Sequence, residues 1–179
     1  MLTPGHISSS YLIAQTPGLL GQSLTTPELA IVVVSGYILD LDILIAKYFV
    51  KSQANHHLLL THTPLFVILV WVAGSILLHP FFSTISLILA GLSMLLHLVL
   101  DDIGYWFCKL GWQKESQTPQ VFWSYPLDKR RSMYLSNPDE YIGSNFQALK
   151  NYFTKAPVNL VLELLLTMAA ILVFFNQSR

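Results

Sequence analysis

Long apolar segments constrain the fold of this chain more than any other feature of its sequence. After a short first segment, Ile7–Ala14, four longer ones are separated by polar or turn-forming residues: the second, Leu29 to about Tyr48, the third, Leu65–Leu78, the fourth, Ile85–Leu100, and the last, Val158–Phe175. Crossing the hydrocarbon core of a bilayer takes about 20 apolar residues in a helix. With 53% hydrophobic and only 11% charged residues, the composition is typical of an integral membrane protein. The sequence therefore predicts an all-α, multi-helix membrane bundle that forms a single domain over residues 1–179.

Composition also argues against several functions. The formal net charge is zero, which gives no electrostatic support for binding nucleic acid. Cys108 is the single cysteine, so neither an internal disulfide nor a thiolate metal cluster can form. No Lys or Arg precedes Lys47, and a cleavable signal peptide is therefore not expected.

Threonine–proline pairs predict where helices begin. Thr63 can cap a helix whose first residue is Pro64, because proline lacks an N–H that would have no partner at that position. Thr26 and Pro27 predict a similar start for the second segment. The first apolar segment, Ile7–Ala14, is too short to cross about 30 Å of hydrocarbon at about 1.5 Å per residue.

A long loop is predicted over residues 103–156, and it contains most of the basic residues and three tryptophans. Its tryptophans suit the headgroup level of a membrane. Within it, apolar residues recur every three or four positions over residues 137–153, which predicts an amphipathic helix. Such a helix lies on the membrane or packs over the site, and it offers a surface for a protein partner.

Histidines and aspartates converge on one end of the predicted bundle. Antiparallel segments bring together the later half of the second segment, the turn that follows it and the end of the fourth segment. The residues in these parts of the chain are Asp40, Asp42, His56, His57, His62, His97 and Asp101. His6 joins them if the first two segments form an antiparallel hairpin, whereas His79 lies at the other end. His97 and Asp101 are four residues apart and so share a helix face, a spacing that can hold one metal ion. This pattern predicts a mononuclear or dinuclear divalent-metal site at one membrane face.

The motifs that carry these residues resemble a known family. The segments Gly36-Tyr-Ile-Leu-Asp-Leu-Asp42, His57-x-x-x-Thr-His-Thr63 and His97-x-x-x-Asp101, after His6, are similar to bacterial inner-membrane metal-dependent hydrolases of the LexA-binding, membrane-associated type. The resemblance covers residues 4–126. The order of the motifs is also similar to the front half of the zinc-dependent phospholipase C and P1 nuclease pattern. The resemblance implies a divalent ion, zinc first and manganese or magnesium as alternatives, with these ligands: His6, Asp40, His57, His62, His97 and Asp101.

The chain departs from the family pattern at two positions. Leu39 stands where the family has Pro, and Leu58 stands where it has Arg. An arginine there could hold an anionic substrate through a bidentate contact, so its absence bears on phosphate recognition. No histidine follows His97, which argues against a full three-metal site.

For several polar side chains the sequence leaves more than one role open. Asp42 is a ligand, a bridge between ions or a group that orients a histidine, and with Asp102 it is the predicted catalytic carboxylate that takes a proton. Asp102 could equally be a solvated acid. Asn159 and Glu163 share a face of the last helix and are predicted to be helix-packing contacts.

The predicted function is hydrolysis of an ester or phosphoester of a lipid or membrane-delivered substrate by a metal-activated water. Besides the hydrolase, two other functions stay open, an ion transporter and a partner-docking protein. Histidines and aspartates within helices also form ion pathways, although a transporter needs polar groups that continue to the other face. The third possibility is a protein that docks a partner through residues 137–153 and holds a structural metal.

Basic residues predict the orientation in the bacterial inner membrane. On the face of the predicted site, nine Lys and Arg residues lie in two loops, whereas the opposite face has only Arg179. Leaving out the central Lys129-Arg130-Arg131 group still gives six against one. Because basic residues are enriched in cytoplasmic loops, the site is predicted to face the cytoplasm and the C-terminus the outside.

Overall fold

The computed structural model describes residues 3–41, 60–112, 121, 123–127 and 157–177. Within these ranges all regular secondary structure is helical, without a strand, as the sequence predicts. Its α-helices are α1 Thr3–Ala14, α2 Thr26–Ser35, α3 Pro64–Leu78, α4 Thr84–Asp101, α5 Ile103–Lys109 and α6 Pro157–Gln177. Short 3₁₀ helices cover Thr16–Leu20, Ile38–Leu41 and Leu60–His62.

Side-chain caps fix the helix starts. The Thr63 hydroxyl accepts a hydrogen bond from the Phe66 N–H at 3.3 Å, and Pro64 is the first residue of α3, which confirms the predicted start. Ser83 caps α4 in the same way through the Ser86 N–H. The cap of α2 is Thr25, one residue before the predicted position, and Glu28 completes a capping box with it.

The helix α4 is central, and its neighbours run along it in fixed directions. The starts of α2 and α4 meet where the Ser83 N–H donates to Glu28, and their other ends meet between Gly36 and His97, so these helices are parallel. The helix α3 is antiparallel to α4, and its Trp71 indole N–H donates to the Leu87 carbonyl at 2.8 Å.

The helix α1 is antiparallel to α4, and α6 packs along α1. The Ser8 hydroxyl donates to Thr167 at 3.3 Å, and the Gln177 amide donates to Gln15 at 2.7 Å, so α1 and α6 run in the same direction. Asn159 and Glu163 are both buried, in agreement with the predicted packing contacts. The starts of α1, α3 and α6 therefore lie at the same end of the molecule as the last turn of α4.

The second predicted helix is interrupted, which corrects the sequence-based prediction of a continuous helix to about Tyr48. The α-helix ends at Ser35, and after it Tyr37 N–H bonds to Val34 and Asp40 N–H bonds to Tyr37, each three residues back. In a continued α-helix the Asp40 N–H would bond to the Gly36 carbonyl. That carbonyl accepts instead from His97, so a tertiary contact replaces the helical hydrogen bond.

Two of the described helices are long and apolar enough to cross a membrane, namely α4 and α6. They differ in burial, since about half of the α4 window but only about a sixth of the α6 window is buried inside the protein. The predicted loop 103–156 begins with the helix α5, so its first residues are helical. The predicted amphipathic helix 137–153 lies outside the described residues.

Candidate metal centre

Asp101, in the last turn of α4, lies at the centre of a buried group of imidazoles. Its Oδ1 is 3.1 Å from His6 Nε2, and its Oδ2 is 3.2 Å from His97 Nε2 and 3.7 Å from His62 Nε2. All four side chains have no solvent exposure. Three ring nitrogens from three different parts of the chain thus point towards one carboxylate.

Gly36 fixes the orientation of His97. The Nδ1 of His97 lies 2.7 Å from the Gly36 carbonyl oxygen, which can only accept, so Nδ1 carries the proton and donates it. In the neutral ring this leaves the lone pair on Nε2, the atom that faces Asp101 and Asp40. An imidazole N–H held by a backbone carbonyl is the usual support of a metal-binding histidine.

His6 and His62 complete the imidazole group from opposite sides. His6 lies in the first turns of α1, and its ring stacks on His97 with a centroid distance of 3.8 Å. His62 ends the 3₁₀ helix just before the Thr63 cap, and its ring centroid is 5.4 Å from that of His97. Two stacked rings that both carried a positive charge would repel each other, which disfavours simultaneous protonation of His6 and His97. The neutral ring is the form that binds metals.

Asp40 forms the least buried side of the cluster. Its Oδ1 is 3.5 Å from His97 Nε2, and its side chain keeps 15% exposure. The interruption after α2 places it there, because the 3₁₀ helix turns the backbone after Gly36. The predicted proximity of His6 and Asp40 is also found, since ligand atoms of His6, Asp40 and His97 lie within 4.8 Å of one another.

The donor set fits a divalent metal ion. Ligand atoms about 2.0–2.1 Å from a tetrahedral zinc lie about 3.3–3.4 Å apart, and the four N–O distances of the cluster range from 3.1 to 3.7 Å. Within the described residues, neither Nε2 of His6 nor Nε2 of His97 makes a well-aligned hydrogen bond, although a carboxylate is close. Imidazole and carboxylate are ligands that suit zinc, and carboxylate also suits manganese and magnesium.

The ligand atoms form two overlapping groups: His6, Asp40 and His97, and His62, His97 and Asp101. One His97 Nε2 can serve only one ion, and its Nδ1 is already bonded to Gly36. The two oxygens of Asp101 face different imidazoles, however, and a carboxylate in that position can bridge two ions. The geometry is therefore compatible with one or two ions.

Asp102 is turned away from the imidazoles. Its side chain is fully buried, and it accepts hydrogen bonds from the Val121 N–H at 3.1 Å and from the Trp123 indole N–H at 2.6 Å. The reading of Asp102 as a solvated acid is therefore wrong, because the carboxylate is buried. The contacts favour a structural joint that holds residues 121–123 against α4, and its role in proton transfer stays a prediction.

The remaining predicted residues lie elsewhere. Asp42, His56 and His57 are outside the described residues. His79 follows the end of α3, exposed and at the other end of the molecule from His62. The sequence-based reasoning did not assign roles to the Gly36 carbonyl or to Trp123. The role of the Gly36 carbonyl could have been suspected from the sequence, because a glycine lies four residues before Asp40.

These observations define an all-helical protein with apolar helices of membrane-spanning length and a buried histidine–aspartate cluster of metal-ligand type. The chain belongs to the YdjM inner membrane protein family, whose sequence model matches residues 1–178. No curated protein and no solved structure gives a significant match. The family confirms a bacterial inner-membrane protein, whereas the metal and the hydrolytic activity stay predictions.

Proposed function

We propose that this protein is a multi-pass membrane hydrolase that uses a divalent metal ion to cleave an ester or phosphoester of a lipid or membrane-delivered substrate. The observation that carries the proposal is the set of three imidazole Nε2 atoms around Asp101, buried at the end of a helix long enough to span a membrane. Burying a carboxylate in such surroundings is costly unless a cation compensates its charge.

A divalent cation suits the charges of the cluster, because two carboxylates, Asp40 and Asp101, lie within 3.5 Å of His97 Nε2. Protonated imidazoles could compensate Asp40 and Asp101, but the stacked His6 and His97 rings disfavour two adjacent charges. A divalent ion compensates both carboxylates while the imidazoles stay neutral.

Each residue then has a defined part. His6, His62, His97 and Asp101 would hold the ion, and the Gly36 carbonyl keeps His97 in the ligand tautomer. When bound, a divalent ion supplies Lewis acidity, which polarises the bond to be cleaved and lowers the pKa of water. Asp40 lies on the least buried side, where substrate has access, and Asp42 is the carboxylate that we expect to accept the proton.

Hydrolysis and its dependence on metal can be tested on the protein purified in detergent. We expect chelator-sensitive release of product in a screen of phospholipids, phosphomonoesters and carboxylic esters. His62→Ala and Asp101→Ala should remove the activity, whereas His79→Ala, at the other end of the molecule, should keep it. An activity that is insensitive to chelator and to both cluster variants would overturn the proposal.

We further propose that the cluster faces the cytoplasm, on the strength of the nine-to-one distribution of basic residues. The fold is compatible with this orientation, because α4 ends and α6 begins at the cluster end. Reporter fusions after Arg179 and within residues 114–136 test it. An external signal from the loop with a cytoplasmic signal from the C-terminus would reverse the orientation.

Transport of a metal ion is the second candidate, and polar contacts between α1 and α6 favour it. Beyond the cluster, Ser8 bonds to Thr167, and Gln177 bonds to Gln15 and Tyr11 near the other end. About 15 Å of α6 separates Thr167 from Gln177, and the residues between them are apolar apart from Asn176. Ion flux into proteoliposomes without hydrolysis would favour transport over the enzyme.

A further inference from the structure

An apolar groove of about 440 Å³ lies between α1, α2 and α6. Its walls include Ile7, Tyr11, Leu29, Val33, Ile171 and Phe174. The hydroxyls of Ser8 and Thr167 also line it, but they hydrogen-bond to each other and so satisfy each other inside an apolar wall. The volume falls within the range of about 300–1,000 Å³ that is typical of small-molecule sites, and the apolar lining selects for hydrocarbon.

The groove begins beside the cluster. Two of its lining residues, Ile7 and Ser8, directly follow His6 in α1. A third, Val34, lies two residues before Gly36, whose carbonyl orients His97. From there the groove runs towards the other end of the molecule, where Tyr11 and Phe174 form a ring pair with a centroid distance of 6.4 Å. One end of the groove thus borders the cluster, and aromatic rings line the other.

The depth of the cluster matches the level of the ester and phosphate groups of a membrane lipid. His97 is four residues from the end of α4, about 6 Å along the helix axis. Beyond that end lie Trp106 and Trp123, partly exposed, as aromatic residues at the headgroup level are. The groove therefore extends from the headgroup level into the hydrocarbon layer.

From this arrangement we infer that the groove binds one acyl chain of the lipid substrate while the ester or phosphoester group of that lipid reaches the cluster. The inference rests on the proposed function and names its substrate class. A chain can enter sideways from the bilayer, because Val34, Phe174 and Phe175 at the groove are more than half exposed. Since bilayer lipid is as apolar as the groove, binding must depend on packing and on the headgroup rather than on a hydrophobic driving force.

Photocrosslinking tests the occupant directly. The full-length protein is placed in vesicles of phosphatidylethanolamine and phosphatidylglycerol that include phosphatidylglycerol with a diazirine in the middle of one acyl chain. We expect label on the groove residues of α1, α2 and α6 to exceed label on the exposed residues of α3 severalfold. Label spread evenly over the lipid-facing residues of all helices would mean ordinary boundary lipid and would overturn the inference.

A matched pair of variants separates the groove from the rest of the surface. Ala30→Trp fills the groove from an exposed position, whereas Ala73→Trp adds the same side chain to an exposed position on α3 outside it. We expect Ala30→Trp to lower groove labelling severalfold and Ala73→Trp to leave it unchanged, with equal metal content in both. Val34→Trp, at another exposed groove position, replaces Ala30→Trp if that variant does not fold.

The readouts distinguish two failures. Groove labelling that persists in folded Ala30→Trp or Val34→Trp protein contradicts the acyl-chain site. A wild-type protein that labels in the groove but binds no metal and hydrolyses nothing contradicts the proposed function instead, and leaves the groove as a lipid-binding site.

Discussion

The two ends of the α2–α4 helix pair are both joined by polar contacts, yet the contacts are of different kinds. At one end Glu28 accepts hydrogen bonds from the Ser83 N–H at 3.1 Å and from the N–H and hydroxyl of Thr25 at 2.9 and 2.8 Å. At the other end Asp101 lies within 3.1–3.7 Å of three imidazole nitrogens. The first carboxylate is satisfied by donors that belong to the two helix starts themselves.

The difference separates a structural joint from a site that can bind a ligand. Hydrogen bonds from Ser83 and Thr25 lower the pKa of Glu28, which lies outside both candidate spans, from 4.5 to about 2. Two backbone N–H groups and one hydroxyl thus satisfy that carboxylate with fixed donors. Around Asp101, by contrast, three imidazole Nε2 atoms converge, and ring nitrogens can bind a cation as well as donate a proton. Four predictions test this comparison, in order of decreasing expected effect.

Removing a cluster side chain should have the largest effect. We test His62→Ala, His97→Ala and Asp101→Ala, each of which removes one ligand and leaves the coordination shell incomplete. We expect the affinity for metal to fall by at least about 100-fold, since even residues that only support the ligands contribute about 10–100-fold. Metal content of the purified protein, measured by mass spectrometry, checks this, with His79→Ala as the control. Equal metal content in wild type and Asp101→Ala would show that the cluster is a structural joint like Glu28.

Gly36→Ala should disturb the cluster end through packing. A methyl group there would collide with the Ser10 side chain, and Gly36 also supplies the carbonyl that holds His97. Overpacking of this kind costs about 1–3 kcal/mol, so we expect a lower melting temperature and weaker metal binding together. Gly74→Ala meets no atom within 4 Å and serves as the control. Unchanged metal affinity in a folded Gly36→Ala protein would contradict the orienting role.

Trp123→Phe tests whether Asp102 is a joint. The substitution removes the indole donor to a buried carboxylate, and we expect a loss of about 1–2 kcal/mol, because hydrogen bonds to charged groups are strong but this indole is partly exposed. Thermal unfolding measures the loss, with the exposed Trp112→Phe for comparison. If Asp102 is the proton acceptor instead, Asp102→Asn will remove activity without lowering the melting temperature.

Glu28→Gln should have the smallest effect, about 0.5–1 kcal/mol, as expected for an exposed helix cap. Because the folded pKa is lowered, the contribution of Glu28 to stability is fully present above about pH 4.5 and is lost as the pH falls towards 2. The difference in melting temperature between wild type and variant should shrink over that interval. Metal content should not change, and a loss of metal would mean that the two ends are coupled.

Local sequence sufficed for most of the secondary structure. The start of α3 at Pro64 follows from the Thr63 cap, and both depend only on adjacent residues. The arrival of His62, His97 and Asp101 at one end also followed from the sequence, because alternating apolar segments leave few possible topologies. The same topology placed Asp40 in this group and, through a predicted hairpin of the first two segments, His6 beside it; the resemblance to membrane hydrolases agreed with both.

Tertiary contacts decided where local rules gave the wrong answer or none. The pattern of residues 29–48 predicts one helix, but the α-helix ends at Ser35, and the Gly36 carbonyl bonds to His97 where a continued helix would bond it to the Asp40 N–H. No local pattern could show that Trp123, 21 residues further along the chain, would bond to Asp102.

The sequence by itself determined an all-helical membrane protein, the helix starts and the end of the molecule where histidines and aspartates gather. These properties depend on apolar content, on caps and on the direction of successive helices, all of which can be read along the chain. Only the tertiary structure decided which imidazole nitrogens face Asp101, which carboxylate is occupied by a structural contact and where the groove lies. The reason is that each of these depends on distances between residues far apart in sequence, set by the packing of α1 against α2 and α6 and of α1, α2 and α3 against α4.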